Sequence, residues 1–367
     1  MRILSVEVYK ADIPLVAPFR IALGETTVAN NVLIKIHTDE GLHGVGEASP
    51  FTPIVGETQS TDLAAARDLA KLLIGKSPLD IENRLRELHS YLVHNPTVRS
   101  AFDMALYDLL GKAADLPLYS VLAGEKRTIF TDRTVGIDTA EKMAEEALAF
   151  KERGFPAVKV KLGTTAEEDI ERIQRIREAV GPDIPLRIDA NQGWDCVSAL
   201  HALKGMEEQG IQYCEQPVAA WDFASLRKVS ANTTIPIMAD ESLFDEHDAF
   251  RLLSMEACDY LNIKLAKSGG IHTALKINAI AEAAGVSCMM GCMSETRLGL
   301  TAAAHVVSAR PNIRFADLDS ADMLSADPVI GGLTYGDGGT VILPDTPGHG
   351  ADIDPAFLKE LESYVVD

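Results

Sequence analysis

Apolar residues along this chain fall into short runs that end on charge. AVKVK, PLRID, IQYCE, PIMAD and YLNIK close on Lys161, Asp189, Glu215, Asp240 and Lys264, at intervals of 28, 26, 25 and 24 residues. An interval of that length is one strand followed by one helix. The stretches between the runs carry apolar residues at helical spacing, as in Glu168–Val180 and Cys196–Gln209. Extended through the C-terminal two thirds, the pattern predicts strands near 129–136, 157–162, 185–190, 211–215, 235–239, 259–264, 286–291 and 313–317. Regular alternation means a parallel sheet, and eight such units predict closure into a (β/α)7β TIM-like barrel over 126–320.

The first hundred residues read differently. ILSVEVYKADI, NVLIKIHTDEG and HGVGEASP alternate like antiparallel strands, with Asp39-Glu40-Gly41 as a turn. SPLDIENRLRELHSYL and SAFDMALYDLLGKAADL follow with helical spacing. This predicts an α+β cap over 1–125, ending at Ala123-Gly124-Glu125-Lys126. Residues 321–367 form a C-terminal segment, and TPGHGADIDP after Pro344 reads as loop returning toward the cap.

Composition narrows the function classes. A formal net charge of −20 argues against a nucleic-acid surface and against attraction to anionic membranes. MRILSVEVYK reads as a strand and not as a signal peptide, and no apolar run approaches the ~18 residues of a membrane span. The five cysteines, an odd number scattered through apolar stretches, read as buried free thiols of a cytoplasmic protein.

In a parallel barrel the C-terminal ends of the strands gather at one mouth. Asp189, Glu215 and Asp240 would meet there, with a lysine on either side. One acidic residue at a strand end commonly caps the next helix. Three on consecutive strands make a hard-oxygen ligand set, which favours Mg²⁺ over Zn²⁺. Lys161 and Lys264 sit in apolar flanks that would hold them inside the barrel. A desolvated lysine near another cation loses affinity for its proton and can act as a base. Lys159 shares the face of Lys161 and would add that cationic influence. Lys267, past the strand end, reads as a loop or surface lysine.

KVK, RIDANQGW, EQP, ADES and NIKLAKSGG together resemble the enolase superfamily, in its muconate-lactonizing-enzyme-like subgroup. The resemblance covers nearly the whole chain. It implies one Mg²⁺ per subunit on Asp189, Glu215 and Asp240, and removal and return of a proton α to a carboxylate by Lys161 and Lys264, with Lys159 assisting. The metal holds the resulting enediolate; this base-and-Mg²⁺ logic is a known pattern of the superfamily. FADLD, with Asp317 and Asp319 on one face, resembles the Asp-x-Asp motif with which dipeptide epimerases hold a substrate ammonium. SETRLG, beginning at Ser294, supports that subgroup, and Thr134 joins Ser294 as a substrate-binding candidate. The substrate would be a dipeptide, and the enzyme a homo-oligomer.

One departure bears on specificity. Gly24 stands where the Ala-Glu epimerases of this family carry an arginine, and neighbouring Glu25 has the wrong sign for an acidic side chain. The second cap loop offers Phe51 and Ile54. Apolar dipeptides are therefore expected, with Arg20 the main threat to that expectation. Rival readings are an N-acylamino-acid racemase, or an o-succinylbenzoate synthase or cycloisomerase of the same superfamily. None of their substrates gives Asp317 and Asp319 an ammonium to bind. Outside the superfamily, a barrel hydrolase would need histidine ligands on early strands, and a non-catalytic carboxylate-binding protein would not need both lysines. Acid-sugar dehydration would need a His/Asp base pair, whereas His272 and His305 are expected on helices.

Overall fold

A computed structural model describes residues 1–367. Its largest sheet has eight strands: Arg133–Val135, Val158–Lys161, Leu186–Asp189, Ile211–Glu215, Ile237–Ala239, Tyr260–Ile263, Ser287–Met290 and Ile313–Ala316. They pair in sequence order and in parallel, joined by helical connections. The first and eighth strands meet through main chain and side chain. Asp132 N–H donates to Ala316 O (3.3 Å), Leu318 N–H to Thr131 Oγ1 (2.8 Å) and Thr134 N–H to Asp319 Oδ2 (2.9 Å). The sheet is thereby curled into the expected barrel.

Period two then stacks the inward side chains in layers. Register pairs Lys159 with Arg187 and Arg187 with Tyr213, and, one rung higher, Lys161 with Asp189 and Asp189 with Glu215. The lower layer is filled by Arg187, Tyr213, Met238, Met289 and Phe315, with the Arg187 guanidinium 5.6 Å from the Tyr213 ring and 5.2 Å from that of Phe315. The upper layer carries Lys161, Asp189 and Glu215, and Lys159 stands beside Arg187 on the rung below. Alternate residues such as Val158, Val160 and Ile188 are buried against the helices.

The first predicted strand divides in two. Ile129–Phe130 pairs antiparallel with Thr340–Ile342 of the C-terminal segment, and only Arg133–Val135 enters the barrel. The tail is also more regular than its glycines and prolines suggest. Ala351–Ile353 pairs with Val329–Gly331, and Ser363–Val366 pairs with the first cap strand.

The cap sheet runs in the order Ser363–Val366, Ile3–Ile21, Gly24–Thr38, His43–Ala48. Of three long helices, Gln59–Leu73, Ile81–Tyr91 and Pro96–Ala114, the first and third cover it and the second packs against those two. The first of these was not among the two expected, although its alanines and leucines are good helix formers and Thr58 caps it. Pro96–Ala114 lies against His43–Ala48 at close range because the strand offers two glycines on one face. A Cβ on Gly46 would stand 1.9 Å from Ala101 O, and one on Gly44 2.1 Å from Ala105 O.

A buried carboxylate helps to fasten cap to barrel. Glu47, 1% exposed, accepts hydrogen bonds from Asn31 Nδ2, Thr296 N, Thr296 Oγ1 and Gly299 N. It thus satisfies N–H groups at the start of helix Arg297–Ala309, where a negative charge is also favoured by the helix dipole.

Candidate active site

Strand ends bring Asp189, Glu215 and Asp240 together. One carboxylate oxygen of each lies within 4.8 Å of the others, and all three side chains are buried. Each is oriented from behind. Asn191 N–H donates to Asp189 Oδ1 (2.9 Å) and Asn262 Nδ2 to Glu215 Oε1 (2.7 Å). Gln216 Oε1 accepts from the main-chain N–H of Asp240 (2.9 Å) and Ser242 (3.2 Å), fixing the end of the fifth strand. Asn191, Gln192 and Gln216 all have positive φ, so the chain turns sharply just past two of the carboxylates.

Four ammonium groups surround the cluster. Lys161 Nζ donates to Asp189 Oδ2 at 2.6 Å, and Lys264 Nζ stands 2.8 Å from Asp240 Oδ2. Lys159, with no exposed surface, lies among Asp317 (2.6 Å), Glu215 (2.8 Å) and Asp189 (3.4 Å). Lys267 is no surface lysine: it is fully buried, 3.3 Å from Asp240 Oδ1, and donates to Leu243 O (2.6 Å) and Asn262 O (2.8 Å). Sequence reasoning misplaced it because the turn Leu265–Ser268 folds back over the barrel mouth.

For Lys264 the electrostatics differ from the expected easy loss of a proton. Burial by itself would lower Lys264, but Asp240 and Glu215 outweigh it and hold its proton well above the usual lysine range. Burial likewise opposes the charge on Lys159, and Asp317, Glu215 and Asp189 raise it well above normal. Its positive charge is thus matched by three carboxylates. On the acidic side, burial and then Asp189 push the Glu215 carboxyl far up, while Lys264 and Lys267 overcome burial to keep Asp240 low.

The donor set fits a hard dication. Glu215 Oε2 and both Asp240 carboxylate oxygens are buried and meet ammonium charge without an aligned hydrogen-bond donor. All three ligand candidates are oxygen donors, and no imidazole or thiolate joins them.

Asp317 and Asp319 line a cavity of about 50 Å³ beside this cluster, together with Lys161, Thr134 and Ser294. Burial alone would raise Asp317; Lys159 and Lys161 hold it at about 2. Burial, followed by the Asp317 charge, lifts Asp319 to about 6. Cys292, half-buried, also faces this cavity and so departs from the buried free thiol expected; Cys196 is likewise half-buried. Gly24 and Phe51 border a separate, more open cavity of about 450 Å³ between the two cap loops, which Ser294 also touches. Ile54, in the short helix Thr52–Val55, lines neither cavity. Arg20 is paired with Glu25 at 2.8 Å across the tip of the first cap hairpin.

Several residues of the site were not singled out beforehand. Asn191, Gln216, Glu241 and Asn262 all lie inside the quoted motifs, but Gln216, Glu241 and Asn262 bond residues of other motifs, 24 to 50 positions away. Asn191 Nδ2 donates to Glu241 Oε1 at 3.0 Å, for instance. His272 and His305 lie on helices, as expected, and not at the cluster.

Family models match both bodies of this fold. Residues 142–357 match the enolase C-terminal domain-like family, and residues 3–123 the N-terminal domain of mandelate racemase and muconate lactonizing enzyme. The chain belongs to the enolase superfamily. Within that superfamily it is 45% identical to the D-Ala-D/L-Ala epimerase of Cytophaga hutchinsonii over the full length of both chains. It is 43% identical to the hydrophobic dipeptide epimerase of Enterococcus faecalis, covering 91% of this chain and 95% of that one. The crystal structure of the Cytophaga hutchinsonii dipeptide epimerase, complexed with Mg and D-Ala-L-Val, superposes with a TM-score of 0.99 over the whole of both chains.

Proposed function

We propose that this superfamily member is a Mg²⁺-dependent dipeptide epimerase that inverts the α-carbon of the C-terminal residue and prefers apolar dipeptides. Its enzyme class, an isomerase acting on dipeptides or amino acid derivatives, follows from its relatives. The observation that carries the finer reading is the arrangement of charges. Two lysines from the second and sixth strands reach different carboxylates of one cluster, and a second carboxylate pair lines the adjoining cavity.

Asp189, Glu215 and Asp240 would hold one Mg²⁺ per subunit. That ion would supply positive charge against the substrate carboxylate, and would also draw on the carboxylate charge that Lys161 and Lys264 otherwise share. Asp317 and Asp319 would bind the substrate ammonium, with Thr134 fixing Asp319 through its main-chain N–H. The α-carbon then lies between Lys161 and Lys264. One lysine, as the free amine, takes the α-proton; the other, as ammonium, returns a proton to the opposite face. Lys159 ties Asp317 to Glu215 and keeps the two carboxylate groups in one buried array.

The apolar preference rests on what the cap offers. The one arginine near the hairpin tip is paired with Glu25, and the cavity between the cap loops is bordered by Leu23, Val28, Ala29 and Phe51 and by no lysine or arginine. A buried apolar side chain gains about 1.5–3 kcal/mol there, whereas a carboxylate would be desolvated without a partner.

The test is a dipeptide panel in D₂O, followed by mass spectrometry for α-deuterium and by chiral separation. Ala-Val should exchange and epimerise with a higher kcat/KM than Ala-Glu or Ala-Lys, and exhaustive chelation should stop turnover until Mg²⁺ is restored. Racemisation of N-acylamino acids in preference to every free dipeptide would replace this reading with that of an N-acylamino-acid racemase.

A further inference from the structure

The cavity that holds Asp317 and Asp319 has a second half with no charge in it. Its far wall is made by Leu15, Phe19, Met293, Met323 and Leu324. Leu15 and Phe19 come from the cap strand, where the regular pairing with its neighbour lapses between Pro14 and Phe19. Met323 and Leu324 come from the segment that follows the eighth barrel strand. The two walls are joined at the back: Leu15 forms a β-bridge with Leu324, and Ser325 N–H donates to Pro14 O at 2.8 Å. The two walls are therefore held to each other by main-chain hydrogen bonding.

Resting on the epimerase reading above, we infer that this apolar half is the subsite for the side chain of the N-terminal residue and that it admits only a small one. An ammonium seated between Asp317 and Asp319 leaves its own α-carbon facing the apolar wall, because the carboxylates occupy the opposite side. The volume sets the limit. The whole cavity is about 50 Å³, against about 150 Å³ for an apolar cavity that takes a benzene ring. Part of it must hold the ammonium and main chain, which leaves room for a methyl group. The 450 Å³ cavity between the cap loops is not limited in this way. The enzyme should consequently be strict about the size of the residue it holds by the ammonium and permissive about the size of the apolar residue it epimerises. Met323 and Leu15 are the specificity-determining side chains, since each contributes flexible or truncatable bulk to the wall.

The experiment measures kcat/KM for X-Val with X = Gly, Ala, Val, Leu and Phe, each chiral X in both configurations, and for Ala-Z with Z = Ala, Val, Leu and Phe. One misfitting methylene in an apolar pocket costs about 10–200-fold, so Leu-Val and Phe-Val should fall at least about tenfold below Ala-Val, while the Ala-Z series stays flatter. Met323→Ala should raise the Leu-Val to Ala-Val ratio by about tenfold or more and leave the ranking of the Ala-Z series in place. Leu15→Ala provides the same readout from the other wall should Met323→Ala fold poorly. Leu-Val within about threefold of Ala-Val in the unaltered enzyme overturns the inference but not the epimerase reading. So does a change of Z preference, rather than X preference, in the variants. Racemisation of N-acylamino acids with no turnover of any free dipeptide overturns both.

Discussion

At the residue scale, the site is an array of buried charges that depend on one another. Lys159 touches Asp317, Glu215 and Asp189 and has no exposed surface. Removing one partner of a buried ion pair leaves the others uncompensated, at a cost of about 3–5 kcal/mol. Lys159→Met should therefore lower the stability seen in urea unfolding by that order. An unchanged midpoint would mean that the carboxylates around it protonate at little cost. The two lysines of the upper layer have a different signature. Under the proposed mechanism, which puts one base on each face, Lys161→Ala and Lys264→Ala should each lose epimerisation by about 10²–10⁴-fold. Each variant should still exchange the α-proton of one epimer with D₂O, and the two variants should favour opposite epimers. Equal exchange of both epimers by either variant would mean that the bases are misassigned.

At the scale of elements, close approach is what small residues achieve. Gly44 and Gly46 let helix Pro96–Ala114 rest its main chain on the third cap strand, with Ala101 and Ala105 opposite. A methyl on Gly46 meets a carbonyl oxygen at 1.9 Å, and a helix backbone cannot rotate away as a side chain can. Overpacking of this kind costs about 1–3 kcal/mol. Gly46→Ala should show that loss in urea unfolding, and Glu47, the next residue, would shift with the strand. Helix Arg297–Ala309 depends on Glu47 for its first N–H groups, so the same variant should also raise KM through the Met293–Ser294 wall. A normal KM and a normal midpoint together would show that the helix can retreat freely.

At the scale of the whole molecule, acidic excess and burial combine to make stability depend on pH. The net charge is −20, and some carboxyls are buried without cations. Asp62 is one: burial, with the neighbouring Glu57 charge, lifts its pKa to about 9. Glu57 itself is engaged by Thr97 N–H (2.9 Å) and Val98 N–H (3.2 Å) at the start of helix Pro96–Ala114. Because the folded pKa of Asp62 lies above the ordinary value of 3.8, the folded state binds the extra proton. The associated stability is complete below about pH 4 and is lost as pH rises toward 9. The slope is at most about 1.4 kcal/mol per pH unit. Asp62→Asn removes it, so the variant should gain on the unaltered protein between pH 5 and pH 8.5 in urea unfolding. A difference that stays constant across that range would show that Asp62 carries no proton.

The sequence by itself determined whatever depends on period and spacing. Strand-sized apolar runs with a two-residue repeat place Lys161, Asp189, Glu215, Asp240 and Lys264 on the inner face at successive strand ends, because a strand has only two faces and a parallel barrel has only one C-terminal mouth. The motifs around them already contained Asn191, Gln216 and Asn262, although nothing in their spacing distinguishes an orienting amide from a solvated one. Tertiary structure decided what depends on distant segments meeting. Lys267 is buried because a short turn folds over the mouth, and local polarity does not reveal that. Lys159 is neutralised by Asp317, 158 residues away. The wall of the small cavity is built from residues about 300 positions apart, Leu15 and Leu324, which only the docking of cap on barrel brings together. Local pattern fixes which way a side chain faces; the charges and walls that surround it are set by long-range packing, and they decide its protonation and the substrate it can admit.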